Sequence, residues 1–396
     1  MSYPLIVLHP GKQTNAAYRH PWIFSGAIAQ KPPDLAHGVL VSVADDKGNV
    51  VGTGTFSSHS SIAIRLFAFD DATIDAAWFA TAFSTANSRR RLLGFGKDMA
   101  TDGYRVIFGE ADGVPGLVVD RYGDVLVIQI STAGMDNLRS VVVDALMKVF
   151  SPAAIVERSE GSSRKEEGLE PATGILHGEL VDAVTFTEAG MKFVADVHEG
   201  QKTGFFLDQK DLRRVIAPLA QGKKVLNLFS YSGAAGIAAM QGGATSVHNV
   251  DSSEPALALA QKHAEMNGIT VADFTVEQSD VFQFLGEHDK PEYDMVIIDP
   301  PALIKSRRDT EEGKKAYHFL NRAAMRLVKD GGIFVTSSCS HYLTEEDYAF
   351  TLRRASVQNE TVLSTLASTR QAADHPVSVY FPESAYLKSF VFEVRR

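Results

Sequence analysis

Short apolar runs separated by Gly, Pro, Asp-Asp and Lys-Gly-Asn punctuate the chain from residue 1 to about 72. "GVLVSVADDKGNVVGTGTFS" and "SIAIRLFAF" alternate apolar and polar positions with the period of two that a half-buried strand requires. The pattern predicts a small antiparallel barrel over residues 1–72. From 73 to 185 the texture becomes mixed. "DAAWFATAFSTANSRRRLLG" reads as a helix, and "YRVIFGEADGVPGLVVDRYGDVLVIQI" as strands broken by Asp-Gly-Val-Pro-Gly and Tyr-Gly-Asp turns. "MDNLRSVVVDALMKVF" sets Leu138, Val142, Leu146 and Val149 on one helical face. A small α+β domain is expected here, with the polar, Gly-rich "ERSEGSSRKEEGLEPATG" as a loop between flanking strands.

Beyond residue 186 a hairpin, "AVTFTEAGMKFVADV", leads into regular alternation: "KKVLNLF", "GAAGIAAMQ", "SVHNVD", "EPALALAQKHAEMNG", "FTVEQ", "YDMVIID", a charged helix around 310–328, "GGIFVTSS" and "TEEDYAFTLRRAS". Strand-helix alternation of this kind predicts a doubly wound parallel sheet over 186–396. Asn267-Gly268 reads as a helix C-terminus, and Thr344 with Asp347 resembles a capping box.

Composition narrows the class. A chain of 396 residues exceeds what one core usually supports, and 45% apolar with 22% charged residues is ordinary for a globular protein. No apolar run approaches the roughly 18 residues that span a bilayer, so no membrane association and a cytoplasmic location are expected. One cysteine excludes an intramolecular disulfide and a multi-cysteine zinc site, and no metal is expected. The net charge of -9 argues mildly against nucleic acid, although local basic patches decide such binding.

Candidate chemistry begins at the first strand-to-helix turn, "VLNLFSYSGAAG". Gly233 and Gly236 permit a tight turn and close approach of a ligand, or else close helix-strand packing. Tyr231 stands where a dinucleotide fingerprint needs glycine, which disfavours a pyrophosphate cradle. The next strand ends in Asp251, at the distance where an acid meets ribose hydroxyls, and the third ends near Asp280, which suits an adenine amino group or a helix N-cap. This set fits an adenosine without a bridging pyrophosphate, the shape of S-adenosylmethionine. Strand four runs into "IIDPPALIKS", where two prolines turn the chain away and leave Asp299 at the crevice. Ala302 replaces the aromatic of amino-methyltransferase signatures, which speaks against methylation of an exocyclic amine.

Cys339, in "TSSCSHYL", follows strand five among Ser337, Ser338 and Ser340. A packing cysteine sits more often inside an apolar run, so a nucleophile is expected. A thiolate near a methyl donor has a well-motivated use. Carbon 5 of a pyrimidine is too weakly nucleophilic to take a methyl group until a thiolate adds at carbon 6.

These motifs together are similar to those of the PUA-domain class I methyltransferases typified by ribosomal RNA large subunit methyltransferase I, which make 5-methylcytosine in large-subunit ribosomal RNA. "HPWIFSGAI" resembles the opening PUA signature, "EADGVPGLVVDRYGD" the middle domain, and "KTGFFLDQKDLRR", "NLFSYSGAAG", "DPPALIKS" and "SSCSHYL" the catalytic motifs in order. The resemblance implies a PUA barrel, a small α+β middle domain and a Rossmann-like methyltransferase domain, with S-adenosylmethionine as donor and RNA as acceptor. Cys339 matches the nucleophile and Asp299 the acid facing the cytosine N3 and amino edge. Phe206, Asp208, Asn227, Phe229, Ser230, Tyr231, Gly233, Asp251, Ser252, Asp280, Asp299 and Pro300 match the cofactor's surroundings, although Phe205 and Phe206 also read as core. His341 and Glu383 are the candidates for the base that takes the carbon 5 proton.

Lys305, Arg307 and Arg308 follow the Asp299 loop and suit RNA phosphates, and Arg89 to Arg91 and Arg164 with Lys165 are further candidate basic strips. Lys314 and Lys315 read better as a solvated helix face. Two other readings stay open: methylation of another base position, and an RNA-binding assembly factor without catalysis. A homodimer is compatible with either.

Overall fold

The computed structural model describes residues 3–179 and 183–396. The chain forms two compact units. One comprises Met1–Gly190, Ala195–Leu207 and Ala373–Ser384; the other comprises Met191–Val194, Asp208–Ala372 and Ala385–Arg396.

In the first unit, β1 (Leu5–Leu8), β2 (Trp22–Phe24), β3 (Ile28–Gln30), β4 (Leu40–Ala44), β5 (Val50–Phe56) and β6 (Ile62–Ala68) form a half-barrel in the order β2-β6-β5-β4-β1-β3, with the short helix α1 (Thr14–Ala17) beside it. Alternation in these strands buries Ile6, Leu8, Val41, Val43, Ile64 and Leu66 as one core. The expected antiparallel pattern fails at one place. β1 and β4 pair in parallel, because α1, β2 and β3 lie between them and supply the crossover that parallel strands need.

A second sheet contains β7 (Gly103–Phe108), β8 (Leu117–Tyr122), β9 (Val125–Ile130), β10 (Ala154–Ser159) and β11 (Ala172–Gly178), ordered β11-β10-β9-β8-β7. Helices α2 (Ala76–Leu92), α3 (Ala133–Asn137), α4 (Arg139–Phe150) and α5 (Ser162–Glu166) accompany it. Asp75 caps α2 by accepting from the Ala77 and Trp78 amides, and the predicted stripe on α4 buries Val142 and Leu146 against Phe79, Phe83 and Ile128.

The basic strips expected at Arg89 to Arg91 and at Arg164 are not strips. Arg90 is buried and chelates Asp112 at 2.7 and 2.6 Å, and Arg91 pairs with Asp98 at 2.8 Å. Arg164 is buried, donating to Asp136 at 2.8 Å and to the Ile130 and Glu170 carbonyls. The expected loop around it holds α5, and its ends belong to strands, with Glu157 opposite Gly174 and Ser159 opposite Ala172. Buried arginines with bidentate partners look like surface charges in a sequence, since their partners are remote.

The segment Ala373–Ser384 comes from late in the chain yet completes the first unit. The Asp374 carboxylate accepts from the Arg105 amide at 2.8 Å, its carbonyl accepts from Arg90 at 2.9 Å, and Phe381 packs edge-on to Trp22 at 4.8 Å between centroids. Strands β12 (Val184–Glu188) and β13 (Met191–Ala195) lie at the junction of the units in the chain.

The second unit contains α6 (Lys210–Leu219), β14 (Lys224–Leu228), α7 (Ala234–Gln241), β15 (Ser246–Asp251), α8 (Glu254–Met266), β16 (Phe274–Gln278), α9 (Val281–Glu287), β17 (Tyr293–Ile298), α10 (Thr310–Arg326), β18 (Val328–Ser338), α11 (Glu345–Gln358), β19 (Val362–Thr369) and β20 (Lys388–Arg395). The sheet order is β16-β15-β14-β17-β18-β20-β19. The first five strands are parallel as expected, but β20 runs antiparallel to both β18 and β19. Order reverses at β14, so its turn and that of β17 open on a shared crevice. The Thr344 side chain caps α11 at the Asp347 amide (3.0 Å), but Asp347 does not reciprocate; it accepts from Lys314 at 3.0 Å. No described helix is long and apolar enough to cross a membrane.

Removing one partner of a buried ion pair strands the other charge. Asp112→Asn is expected to lower unfolding stability by about 3 kcal/mol, read as a lower urea midpoint. Asp98→Asn, at the exposed Arg91 pair, should leave the midpoint unmoved.

Candidate active site

The turn after β14 is strained in a regular way. Phe229, Tyr231 and Gly233 have φ of 55°, 47° and 73°, so left-handed residues alternate along it. Two of the three carry side chains that pay sterically for this conformation, and such strain persists where the surroundings over-determine it. The surroundings are identifiable. The Ser230 amide donates to the Val250 carbonyl at 3.1 Å, the Tyr231 amide to Asp251 at 2.8 Å, and the Gly233 amide to the Ser230 carbonyl at 2.9 Å.

The glycines of this turn answer to packing. A Cβ at Gly233 would stand 2.8 Å from Ala260 Cβ, and one at Gly236 would stand 2.7 Å from Asn249 Oδ1. Close packing against α8, β15 and β16 therefore requires glycine at both positions. Asn227 is likewise internal, donating to Asn249 Oδ1 at 2.9 Å within the sheet.

Asp251, half-buried, accepts the Tyr231 and Ser253 amides, and Ser252 beside it is exposed. Asp280 is exposed and caps α9 through the Gln283 amide at 3.0 Å. The Ser230 hydroxyl is buried without a hydrogen-bond partner among the described residues. An acidic side chain at the end of β15, a second opening α9 and an unsatisfied hydroxyl in the turn fit the ribose, adenine and amino-acid ends of S-adenosylmethionine.

His263 explains why the turn holds its shape, and nothing in the local sequence marks it. It is fully buried on α8, its Nε2 accepts from the Val194 amide at 3.0 Å, and its Nδ1 donates to the Ser232 carbonyl at 2.9 Å. Burial pushes its pKa down to about 4, so the ring is neutral in the tautomer this pairing needs.

Past β17, Asp299 is half-buried and Pro300 buried. Gln209 donates Nε2 to Asp299 Oδ2 at 2.8 Å. Gln209 follows Asp208 in the chain, and Asp208, buried, accepts from the Tyr386 hydroxyl at 2.5 Å. Phe206 belongs to the first unit, half-buried with Lys202 Nζ 4.3 Å from its ring centre, and Phe205 is core against Phe186.

Cys339 is half-buried at the end of β18, and its serine neighbours are not crevice-lining as their polarity suggests. Thr336, Ser337, Ser338 and Ser340 are completely buried. Ser338 Oγ donates to the Tyr317 hydroxyl at 2.9 Å, which lies 2.9 Å from Ser340 Oγ, and Ser340 Oγ accepts the Ile304 amide at 3.2 Å. Ser337 Oγ meets Ser389 Oγ at 2.8 Å, while Tyr348 donates to the Ser337 carbonyl at 3.0 Å. Burial raises the pKa of Tyr317 and of Tyr348, keeping both phenols as neutral donors. These bonds fix the backbone on both sides of the half-buried thiol.

His341 is exposed beside Tyr342, and Glu383, in the first unit, faces His20 at 3.4 Å. Lys305, Arg307 and Arg308 are exposed, and their charged groups enter none of the ion pairs among the described residues. Lys315 pairs with Glu312 at 2.7 Å and Lys314 with Asp347, in keeping with a solvated helix face. No group of three or more His, Cys, Asp or Glu side chains is gathered for a metal among the described residues.

Residues 157–348 match the model of an S-adenosylmethionine-dependent methyltransferase family, and residues 6–69 that of a PUA-like domain. The chain is 37% identical over 393 residues to ribosomal RNA large subunit methyltransferase I of Alteromonas mediterranea, covering 98% of each chain. It is 35% identical over 396 residues to the protein of that name from Klebsiella pneumoniae, covering 99% of this chain and 98% of the other. In fold it matches a Streptococcus mutans protein described as a SAM-dependent methyltransferase, with TM-score 0.82 and 24% identity over 98% of this chain and 99% of that one. A methyltransferase structure complexed with SAH aligns with TM-score 0.83 at 23% identity over the same shares.

The His263 arrangement has a pH signature. Its pKa lies near 6.5 when unfolded and about 4 when folded, so the unfolded chain binds more protons between those values. The stability of the neutral ring is complete above about 6.5 and declines as pH falls toward 4, by up to about 3 kcal/mol. His263→Gln should flatten this part of the wild-type curve of unfolding free energy against pH.

Proposed function

The chain belongs to the family of ribosomal RNA large subunit methyltransferase I, and we propose that it methylates carbon 5 of a cytosine in large-subunit ribosomal RNA through a covalent adduct with Cys339. It is an S-adenosylmethionine-dependent methyltransferase with a PUA-like amino-terminal domain. The observation that carries the proposal is the half-exposed thiol of Cys339 set on a fully buried, hydroxyl-bonded strand end, one strand away from Asp299.

Bound in the turn after β14, S-adenosylmethionine supplies an electrophilic methyl group. Ser230, Tyr231 and Gly233 with Asp251, Ser252 and Asp280 are assigned to hold it, and Asp208, Asn227, Phe229 and Pro300 to shape its surroundings. Asp299, held by Gln209, accepts from the amino group of cytosine and, carrying a proton, donates to N3, which makes carbon 6 more electrophilic. The Cys339 thiolate adds at carbon 6, and the electron pair of the broken double bond makes carbon 5 nucleophilic. After carbon 5 has taken the methyl group, a base removes its proton, the double bond re-forms and the thiolate leaves.

A target base inside folded RNA must be extruded to reach this chemistry, and Lys305, Arg307 and Arg308 are assigned to flanking phosphates. The division of labour follows 1–72 as the RNA-holding module, 73–185 as the middle domain and 186–396 as the catalytic domain.

Cys339→Ala is expected to abolish methyl transfer while leaving S-adenosylmethionine affinity near normal. Mass mapping of ribosomal RNA from cells carrying either form should differ by one methyl group on one cytosine; transfer that survives loss of the thiol rules out the adduct. Replacing Arg307 and Arg308 together by Ala should weaken RNA binding and reduce the slope of log K against log salt by about 1 to 2.

A further inference from the structure

After Cys339 the chain turns over Ser340 to Leu343, and two of its carbonyls converge on one ammonium group. Lys388, the first residue of β20, stands opposite Ser338 in the ladder and is only 9% exposed. Its Nζ donates to the Ser340 carbonyl at 2.7 Å and to the Leu343 carbonyl at 2.6 Å. Lysine is seldom buried unless its charge is paired. Carbonyls satisfy N–H groups without neutralising a cation, and Lys388 enters no ion pair with a carboxylate among the described residues.

The charged and titratable groups around it are few. Glu345, at the start of α11, is bonded to Arg370 at 2.9 Å. Tyr317, from α10, is bonded to Ser338 and Ser340 and is kept neutral by burial. The remaining group is Cys339, one residue before the carbonyl that Lys388 holds.

We propose that Lys388 is a positioning residue for Cys339: it clamps the backbone after the cysteine, and its buried charge is balanced by the Cys339 thiolate. This rests on the reading of Cys339 as nucleophile. Burial pushes the Lys388 pKa down to about 8, and the Cys339 and Glu345 charges act in the opposite sense, so the side chain is mostly protonated at neutral pH. The attraction is reciprocal. A cation that the thiolate stabilises also stabilises the thiolate, which increases the nucleophilic fraction.

The chain has one cysteine, so alkylation by iodoacetamide reports this thiol alone. In the wild-type protein the rate against pH should have its midpoint below the value of about 8.5 of an ordinary thiol. Lys388→Met should raise the midpoint by about one unit, making alkylation about tenfold slower at pH 7, and Lys388→Arg should keep the wild-type profile. Lys388 also borders a cavity of about 230 Å³ with Glu345, Thr369, Arg370 and Ser389. A wild-type midpoint at or above about 8.5 overturns the proposal without any substitution. So does a Lys388→Met profile identical to wild type. Alkylation does not depend on methyl transfer, so this result stands apart from the Cys339→Ala experiment: activity surviving in that variant refutes the adduct, whereas an unperturbed thiol refutes the role of Lys388.

Discussion

The catalytic unit depends on satisfying a row of hydroxyl groups that have no access to water. Thr336, Ser337 and Ser338 are buried where a parallel strand would ordinarily carry Val or Ile, Ser340 is buried just past the strand end, and each hydroxyl left unpaired would cost on the order of 1–3 kcal/mol. Tyr317, Tyr348, Asn321 and Ser389 supply the partners from two helices and the neighbouring strand. Hydrogen bonds are directional, so they define the rotation of the strand end more narrowly than apolar packing would. The half-exposed residue among them, Cys339, inherits that definition.

The turn after β14 reaches a similar result by a different route. Its backbone sits in sparsely populated conformations at Phe229 and Tyr231, and the bonds from Asp251 and His263 keep it there. Asp251 therefore has a structural duty in addition to the ligand duty its position suggests. Substitutions at it will blur the two, whereas His263 touches the turn only from behind.

What a sequence discloses here is set by range. Local periodicity and turn chemistry gave α2, α4 and the alternating strands and helices from β14 to β18, because each depends on neighbours in the chain. The positions of Asp251, Asp299 and Cys339 at strand ends were legible for the same reason. Three kinds of feature were not. The parallel β1–β4 pair and the antiparallel β20 depend on which strands meet across long separations. Arg90 and Arg164 read as surface cations because Asp112 and Asp136 are remote in sequence. Gln209, His263 and Lys388 act by gripping backbone or side chains far along the chain, and no spacing rule announces such a grip. Gln209 lies inside "KTGFFLDQKDLRR" and His263 inside "EPALALAQKHAEMNG", yet neither stretch says what the side chain reaches.

The return of Ala373–Ser384 to the first unit has a consequence for how the molecule can be built and divided. Neither unit is a contiguous cassette. The Arg90 and Arg105 contacts with Asp374 wait until nearly the whole chain has left the ribosome, and so does β20, the strand that separates β18 from β19 in the sheet. A carboxyl-terminal truncation that removes Ala373–Arg396, or a domain exchange at one cut, therefore damages both units. An exchange that respects the fold must carry three segments together.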